Sequence, residues 1–102
     1  DCALLLTVPN DSYYHRRYLN KNIARERDVI IELAAEYDMA VWDLYGLMGE
    51  LGSSKTWKNN KLMRSDLVHF TSVGYHFKGD LYIDGFLKYM DQMEDRLNLE
   101  KH

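Results

Sequence analysis

The sequence predicts an α/β fold in which a short parallel sheet is flanked by helices. A continuous apolar run, CALLLTV at residues 2–8, ends at a turn signal, which is typical of a strand buried on both faces. A helical apolar periodicity follows at residues 23–37, and a second strand-like run, MAVWDLYG, begins at residue 39. Strand, helix and strand at this spacing form a βαβ unit, so we expect two parallel strands joined by a right-handed crossover.

The first strand is expected to end at Pro9, with Asn10 and Asp11 in the turn that follows. The single cysteine, Cys2, excludes an internal disulfide framework and a cysteine-rich zinc site, and we expect it to be a small buried apolar residue. The polar and aromatic segment SYYHRRYLN, at residues 12–20, is expected to be a loop or an irregular turn.

The first helix is expected to be capped by Asn20 or Asn22 and to end in a left-handed turn at Asp38. Its predicted apolar face consists of Ile23, Ile30, Leu33, Ala34 and Tyr37.

A second strand is expected at residues 40–44, a loop at residues 52–60, and a long amphipathic helix after Thr71. Thr71 or Ser72 would cap this helix, which would be roughly 35–40 Å long. The apolar positions that predict it are Tyr75, Gly79, Tyr82, Phe86, Met90, Met93 and Leu97.

Length and composition exclude several classes of protein. The 102 residues suffice for one small domain, and the net charge of −3 comes with both signs interspersed. The chain has no basic stripe of the kind that nucleic-acid binders carry, so we expect no nucleic-acid partner. No apolar run approaches the ~18 residues of a membrane span, so no span is expected.

The main chemical signal is the pair Asp66 and His69 beside the predicted helix start. A carboxylate that accepts the Nδ1 proton of an imidazole fixes its tautomer and leaves Nε2 free to act as a base on a hydroxyl. A tight turn at this spacing can bring the two side chains together. Spacing alone favours a structural role, in which Asp66 caps a turn and His69 is a hydrogen-bonded, partly buried ring.

The segment DLVHFTSVGY, at residues 66–75, resembles the C-terminal catalytic block of the SGNH hydrolases, also called GDSL-type esterases and lipases. In that family the pattern is Asp-x-x-His, then Phe or Leu, Thr or Ser, and Gly followed by Tyr or His, with a long helix after it. The matching positions are Asp66, His69, Phe70, Thr71, Gly74 and Tyr75. The resemblance implies that residues 1–102 are the C-terminal portion of a three-layer α/β/α, flavodoxin-like SGNH hydrolase domain.

Three functional blocks of that family have no match in the chain. The nucleophilic serine of the family lies in a Gly-Asp-Ser motif, and a glycine and an asparagine in two later blocks complete the oxyanion hole. The segment PND at residues 9–11 is similar to the asparagine block, but it lacks the glycine and follows the wrong strand, so Asn10 is more simply a turn residue. We therefore expect the chain alone to lack the nucleophile and to be inactive.

The resemblance implies a serine esterase or lipase in which His69 is the general base and Asp66 orients it. The implied substrates are small esters, of the acylated carbohydrate or lysophospholipid class, and no metal or organic cofactor is implied. The alternative is a non-catalytic α/β interaction module in which the Asp-x-x-His turn is structural.

Other side chains give weaker signals. His69, His76 and Asp80 would need further ligands to hold a metal ion. Trp42 and Trp57 are expected to pack in the core or against a loop, and Trp57 is also a candidate for lining a substrate cleft. The segment HRR at residues 15–17 could bind an anionic substrate group, although a solvated loop is the simpler interpretation. No nucleophile elbow surrounds the serines Ser12, Ser53, Ser54, Ser65 and Ser72.

A two-stranded parallel sheet is not normally stable alone. We therefore expect this chain to associate, either with a missing N-terminal portion that acts as a second chain or with a copy of itself as a homo-oligomer.

Overall fold

The computed structural model describes residues 3–100, so that Cys2 of the predicted first strand lies outside the described residues. The mixed α/β character is confirmed. In chain order the elements are β1 (Leu5–Val8), β2 (Tyr13–Tyr14), β3 (Tyr18–Leu19), α1 (Asn22–Glu36), β4 (Ala40–Asp43), α2 (Leu44–Met48), α3 (Ser53–Asn59) and α4 (Ser72–Glu100).

The predicted strand–helix–strand unit is confirmed. β1 and β4 pair in parallel, with Leu5 opposite Ala40 and Val8 opposite Asp43. α1 connects the two strands and packs on both of them. Among the described residues this sheet has two strands, so the fold is a short parallel sheet with flanking helices.

Side chains that alternate along β4 reach helices on opposite faces of the sheet. Val41 packs with Ile23 and Ile30 of α1, in a cluster that also contains Val8. Trp42 packs edge-to-face on Tyr82 of α4, with their ring centroids 5.0 Å apart. The larger core cluster lies on the Trp42 side and contains Leu44, Met48, Trp57, Met63 and Phe70.

The first helix agrees with the prediction to within one residue at each end. The predicted cap is wrong, because the N-cap position is Lys21, which forms no side-chain cap bond, although the side chain of Asn20 accepts a hydrogen bond from the N–H of Asn22 at 3.1 Å. Asp38 has the predicted left-handed conformation, with a φ of 54°. The predicted apolar face is wrong at Leu33 and Tyr37, which are exposed, because the two-stranded sheet does not extend beneath them.

The predicted loop at residues 12–20 contains a β-hairpin instead. β2 and β3 pair antiparallel, and the N–H of Arg17 donates to the carbonyl of Tyr14 at 3.0 Å. His15 and Arg16 between them both have positive φ, 51° and 61°, which is the geometry of a type I′ turn. Sequence patterning did not reveal it, because this turn type normally contains asparagine or glycine.

The predicted loop at residues 52–60 is also wrong, since residues 53–59 form α3. The start of this helix is held by a residue from elsewhere in the chain. The buried carboxyl group of Asp11 accepts hydrogen bonds from the N–H groups of Gly52 and Ser54, at 3.3 and 3.0 Å. No local capping pattern exists for such a helix start, so a sequence window could not show it.

The long C-terminal helix is confirmed, and Thr71 is its cap. The hydroxyl of Thr71 accepts a hydrogen bond from the N–H of Gly74 at 3.0 Å. The helix has 29 residues, which corresponds to about 43 Å. Most of its predicted apolar face is exposed or half-buried, and Gly74 is the residue of α4 that is fully buried.

Burial of the first strand differs from the prediction. Val8 is buried, but Leu5 is 40% exposed, because no described element covers its side of the strand fully. No helix among residues 3–100 has the length and hydropathy needed to cross a membrane.

Candidate functional site

Asp66 and His69 lie on a turn at residues 64–69, which we call the site turn. Backbone hydrogen bonds hold its two ends together: the N–H of Arg64 donates to the carbonyl of His69 at 2.8 Å, and the N–H of Thr71 donates to that of Leu62 at 3.1 Å. Met63 and Phe70, which form a β-bridge between these bonds, are both buried in the larger core cluster. The site turn is therefore fixed to the core at both ends.

Leu67 gives the site turn its shape. Its φ is 59°, a left-handed conformation that a leucine rarely adopts. Its side chain is buried, its N–H donates to the carbonyl of Arg64 at 3.1 Å, and its carbonyl accepts from the N–H of Tyr13 at 3.0 Å. Packing and hydrogen bonds thus hold a strained backbone in place beside the two candidate residues.

Both carboxylate oxygens of Asp66 are engaged. Oδ1 accepts hydrogen bonds from the N–H groups of Val68 and His69, each at 3.0 Å, and Oδ2 lies 2.7 Å from Nδ1 of His69. The bond to the His69 ring, followed by those to the backbone N–H groups of His69 and Val68, lowers the pKa of Asp66 to about 2. Asp66 is therefore ionised at neutral pH.

The tautomer of His69 follows from this charge. An ionised carboxylate only accepts hydrogen bonds, so Nδ1 of His69 carries the proton that it donates to Asp66. In the neutral ring the lone pair is then on Nε2. The His69 side chain is 63% exposed, so a reacting group can approach it. The predicted contact between the two side chains is confirmed, and their catalytic role stays a prediction.

Asn10 lies beside the site turn. Its side-chain amide donates to the carbonyl of Asp11 at 2.9 Å and to that of Val68 at 3.3 Å. The first bond belongs to the turn that the sequence predicts. The second joins residues 58 positions apart, so no local sequence signal could have revealed it.

None of the candidate serines between residues 3 and 100 forms a hydrogen bond with His69. Ser54 is fully buried, and its hydroxyl donates to the carboxyl group and the carbonyl of Asp11, both at 2.7 Å. The hydroxyl of Ser12 accepts from the amide of Asn20 at 3.1 Å. Of the remaining serines, Ser53 is buried, whereas Ser65 and Ser72 are exposed.

The metal-site alternative is wrong for the part of the chain that is described. No group of three or more histidine, cysteine, aspartate or glutamate side chains there is placed to hold a metal ion, so His69, His76 and Asp80 do not converge.

Trp57 is a core residue. Its ring is buried against Phe70 and Phe77, with centroid distances of 5.7 and 5.5 Å, and its indole N–H donates to the carbonyl of Met48 at 3.1 Å. It does not line the cavity that adjoins the site turn, so the suggested cleft role is not seen.

An open cavity of about 510 Å³ adjoins the site turn. Its lining combines cationic, aromatic and hydroxyl side chains, namely Arg64, Phe70, Ser72, Tyr75 and His76. Arg64 was not predicted to be a binding residue, and His76 was a candidate only as a metal ligand. The uneven distribution of lysine and arginine along the chain could have identified Arg64, whereas no comparable signal marks His76.

Comparison with known proteins gives no family for this chain: no family model, no curated protein and no solved structure matches it. The resemblance to the SGNH hydrolases therefore depends on the motif at residues 66–75 and on the long helix that follows it.

Proposed function

We propose that the protein hydrolyses carboxylic esters by acyl transfer to a serine and then to water, with His69 as the general base and Asp66 as the residue that orients it. One observation carries the proposal. Nδ1 of His69 is held at 2.7 Å by a carboxylate that two backbone N–H groups fix in place, while the ring itself is largely exposed. A histidine held in this way presents Nε2 as a base.

In the proposed reaction, Nε2 of His69 takes the proton of the serine hydroxyl as its oxygen attacks the ester carbonyl. The imidazolium that forms is stabilised by the adjacent Asp66 carboxylate and then gives its proton to the departing alcohol. A water molecule, deprotonated by Nε2 in the same way, then attacks the acyl-serine, and the imidazolium returns this proton to the serine oxygen as the acid leaves. Asp66 remains ionised throughout, which agrees with its low pKa.

We take the serine of this proposal from outside residues 3–100, because His69 is hydrogen-bonded to Asp66 and to no serine of that range. In the enzymes that the motif DLVHFTSVGY resembles, the nucleophile lies in a Gly-Asp-Ser block, and this block does not occur in the 102 residues. The proposal therefore takes the nucleophile from another segment or chain that reaches the exposed side of His69.

The alternative is a non-catalytic interaction module. It is favoured by the two hydrogen bonds from backbone N–H groups to Asp66, because an aspartate that only stabilises a turn forms the same bonds. The structural role also expects a hydrogen-bonded His69 ring, but it expects that ring to be partly buried, whereas the side chain is 63% exposed.

Covalent labelling by a fluorophosphonate, which reacts with activated serines, separates the two functions. We expect the complete gene product to be labelled on one serine, and His69→Ala to abolish the labelling. The control is His15→Ala, which changes an exposed histidine at the tip of the β2–β3 hairpin. Equal labelling of the His69→Ala variant, or no labelling of the natural protein, would favour the interaction module.

A further inference from the structure

Positive charge is concentrated in the segment of the sequence that contains His69. Residues 51–79 contain five lysines and arginines but only one acidic residue, Asp66, which gives this segment a formal net charge of +4. The whole chain has −3, so the remaining residues carry −7. The five basic residues are Lys55, Lys58, Lys61, Arg64 and Lys78. A cleft surrounded by charge of one sign attracts ligands of the opposite sign.

Arg64 is the basic residue that lies nearest to His69 along the backbone. The two residues face each other across the site turn, where the N–H of Arg64 donates to the carbonyl of His69 at 2.8 Å. The side chain of Arg64 is exposed, and it forms no ion pair with any carboxylate of residues 3–100. Its guanidinium is therefore available to a ligand.

The cavity that adjoins the site turn, here called the Arg64 cavity, adds further recognition groups. His76 from the second turn of α4 lines it with Arg64, and Tyr75 contributes a half-exposed ring that packs on Phe70 at a centroid distance of 5.3 Å. The ammonium of Lys78 lies 5.3 Å from the Phe70 ring centroid. Two basic side chains, those of Arg64 and His76, thus line the cavity together with the Phe70–Tyr75 pair, and the ammonium of Lys78 lies on the Phe70 ring.

We propose that the Arg64 cavity binds an anionic group, a carboxylate or a phosphate, carried by the ester on which His69 acts. This inference rests on the proposed function, and it specifies the class of substrate. A guanidinium offers a planar pair of N–H donors that matches the oxygens of both groups. The carboxylate would belong to an acylated acidic carbohydrate, whereas the phosphate would belong to a lysophospholipid.

The test is an NMR titration of the ¹⁵N-labelled protein with two anions and their neutral counterparts. Glucuronate is compared with glucose, and glycerol 3-phosphate with glycerol, and the signals followed are the Nε–H of Arg64 and the amides of Tyr75 and His76. We expect at least one anion to bind at least tenfold more tightly than its neutral counterpart. Tighter binding of glucuronate assigns the carbohydrate class, and tighter binding of glycerol 3-phosphate assigns the lysophospholipid class.

Arg64→Ala should weaken binding of the anion at least tenfold, and Arg64→Lys should weaken it less. The fold tolerates these changes, because Arg64 contributes backbone hydrogen bonds to the site turn and its side chain is exposed. Arg96→Ala, which removes an exposed arginine near the end of α4, is the matched control and should bind as the natural protein does.

Equal affinity for the anions and their neutral counterparts would overturn the inference, as would equal losses in the Arg64→Ala and Arg96→Ala variants. Binding is measured without turnover, so the two proposals fail separately. If ester hydrolysis depends on His69 but no anion binds at Arg64, only this inference is contradicted. Binding of anions at Arg64 in a protein that hydrolyses no ester removes the proposed function.

Discussion

The backbone N–H of Tyr13 donates a hydrogen bond to the carbonyl of Leu67 at 3.0 Å, and both residues are buried. This bond joins the segment that follows β1 to the middle of the site turn. The amide of Asn10 adds a second connection, to the carbonyl of Val68. The position of Asp66 and His69 is thus set by the end of the parallel sheet as well as by their own turn.

Asp11 should be the polar residue whose removal destabilises the fold most. It is fully buried, and Asp11→Ala would leave the N–H groups of Gly52 and Ser54 and the Ser54 hydroxyl without the carboxyl acceptor. We expect a loss of about 3 kcal/mol in the free energy of unfolding, measured by urea denaturation. Asp80→Ala, at an exposed position, is the control and should change it by less than about 0.5 kcal/mol. Equal effects would contradict the role given to Asp11.

Stability should decrease in acid because of Asp66. Its pKa is lowered from 3.8 to about 2 by its hydrogen bonds, so the folded state binds this proton less readily than the unfolded state does. The contribution is fully present above about pH 4 and is lost as the pH falls towards 2. Because Asp66 is one-third exposed, we expect a loss of about 1 kcal/mol.

Urea denaturation at pH 5 and pH 2 measures this loss, and Asp66→Asn provides the comparison. Other carboxyl groups titrate in both proteins, so the contribution of Asp66 is the difference between the two pH dependences. An identical pH dependence in the two proteins would show that the hydrogen bonds of Asp66 do not stabilise the fold.

Replacement by alanine at two glycines of α4 should change the stability of the protein in opposite directions. A Cβ at Gly74 would overlap with the backbone carbonyl of Leu62, whereas a Cβ at Gly79 would meet no atom within 4 Å. Gly74→Ala should therefore destabilise the protein by about 2 kcal/mol or more, since α4 would be pushed away from the site turn. Gly79→Ala should stabilise it by about 0.5–1 kcal/mol. Thermal unfolding compares the two, and a neutral Gly74→Ala would argue against the close packing of α4 on Leu62.

The elements that sequence analysis predicted well depend on neighbours in the chain. Both long helices show a local apolar periodicity, and the cap of α4 is Thr71, immediately before its first residue. The parallel pairing of β1 and β4 followed from the helix between them.

The features that were missed depend on distant residues or on local strain. α3 is capped by Asp11, which lies 43 positions before Ser54, and the turn at residues 15–16 adopts positive φ without glycine or asparagine. Arg64 was missed for another reason: an average over the whole chain mixes the basic segment at residues 51–79 with the acidic remainder. The Asp66–His69 contact could be predicted because the two residues are three positions apart in a turn, and so short a separation keeps their side chains close together.

The described chain should associate when it is folded. β1 and β4 each have one unpaired edge among residues 3–100, and large apolar side chains are exposed at the start of β1 and on both long helices. Examples are Leu4, Leu5, Val29, Ile83, Phe86, Leu87 and Met90. Because monomers rarely expose a contiguous apolar patch larger than ~300–600 Å², we expect a partner to cover part of this surface. Light scattering at micromolar concentration should give more than the mass of one chain. A clean monomer with cooperative unfolding would show that these elements close their own core.

The most direct test of the central claim is the kcat of the complete gene product for p-nitrophenyl acetate, with and without His69. We expect His69→Ala to reduce kcat by about 10³-fold or more, because the serine loses its base, while the circular dichroism spectrum stays unchanged. His15→Ala should retain the natural kcat. A His69→Ala variant as active as the natural protein would contradict the account, because His69 would then have no part in the reaction.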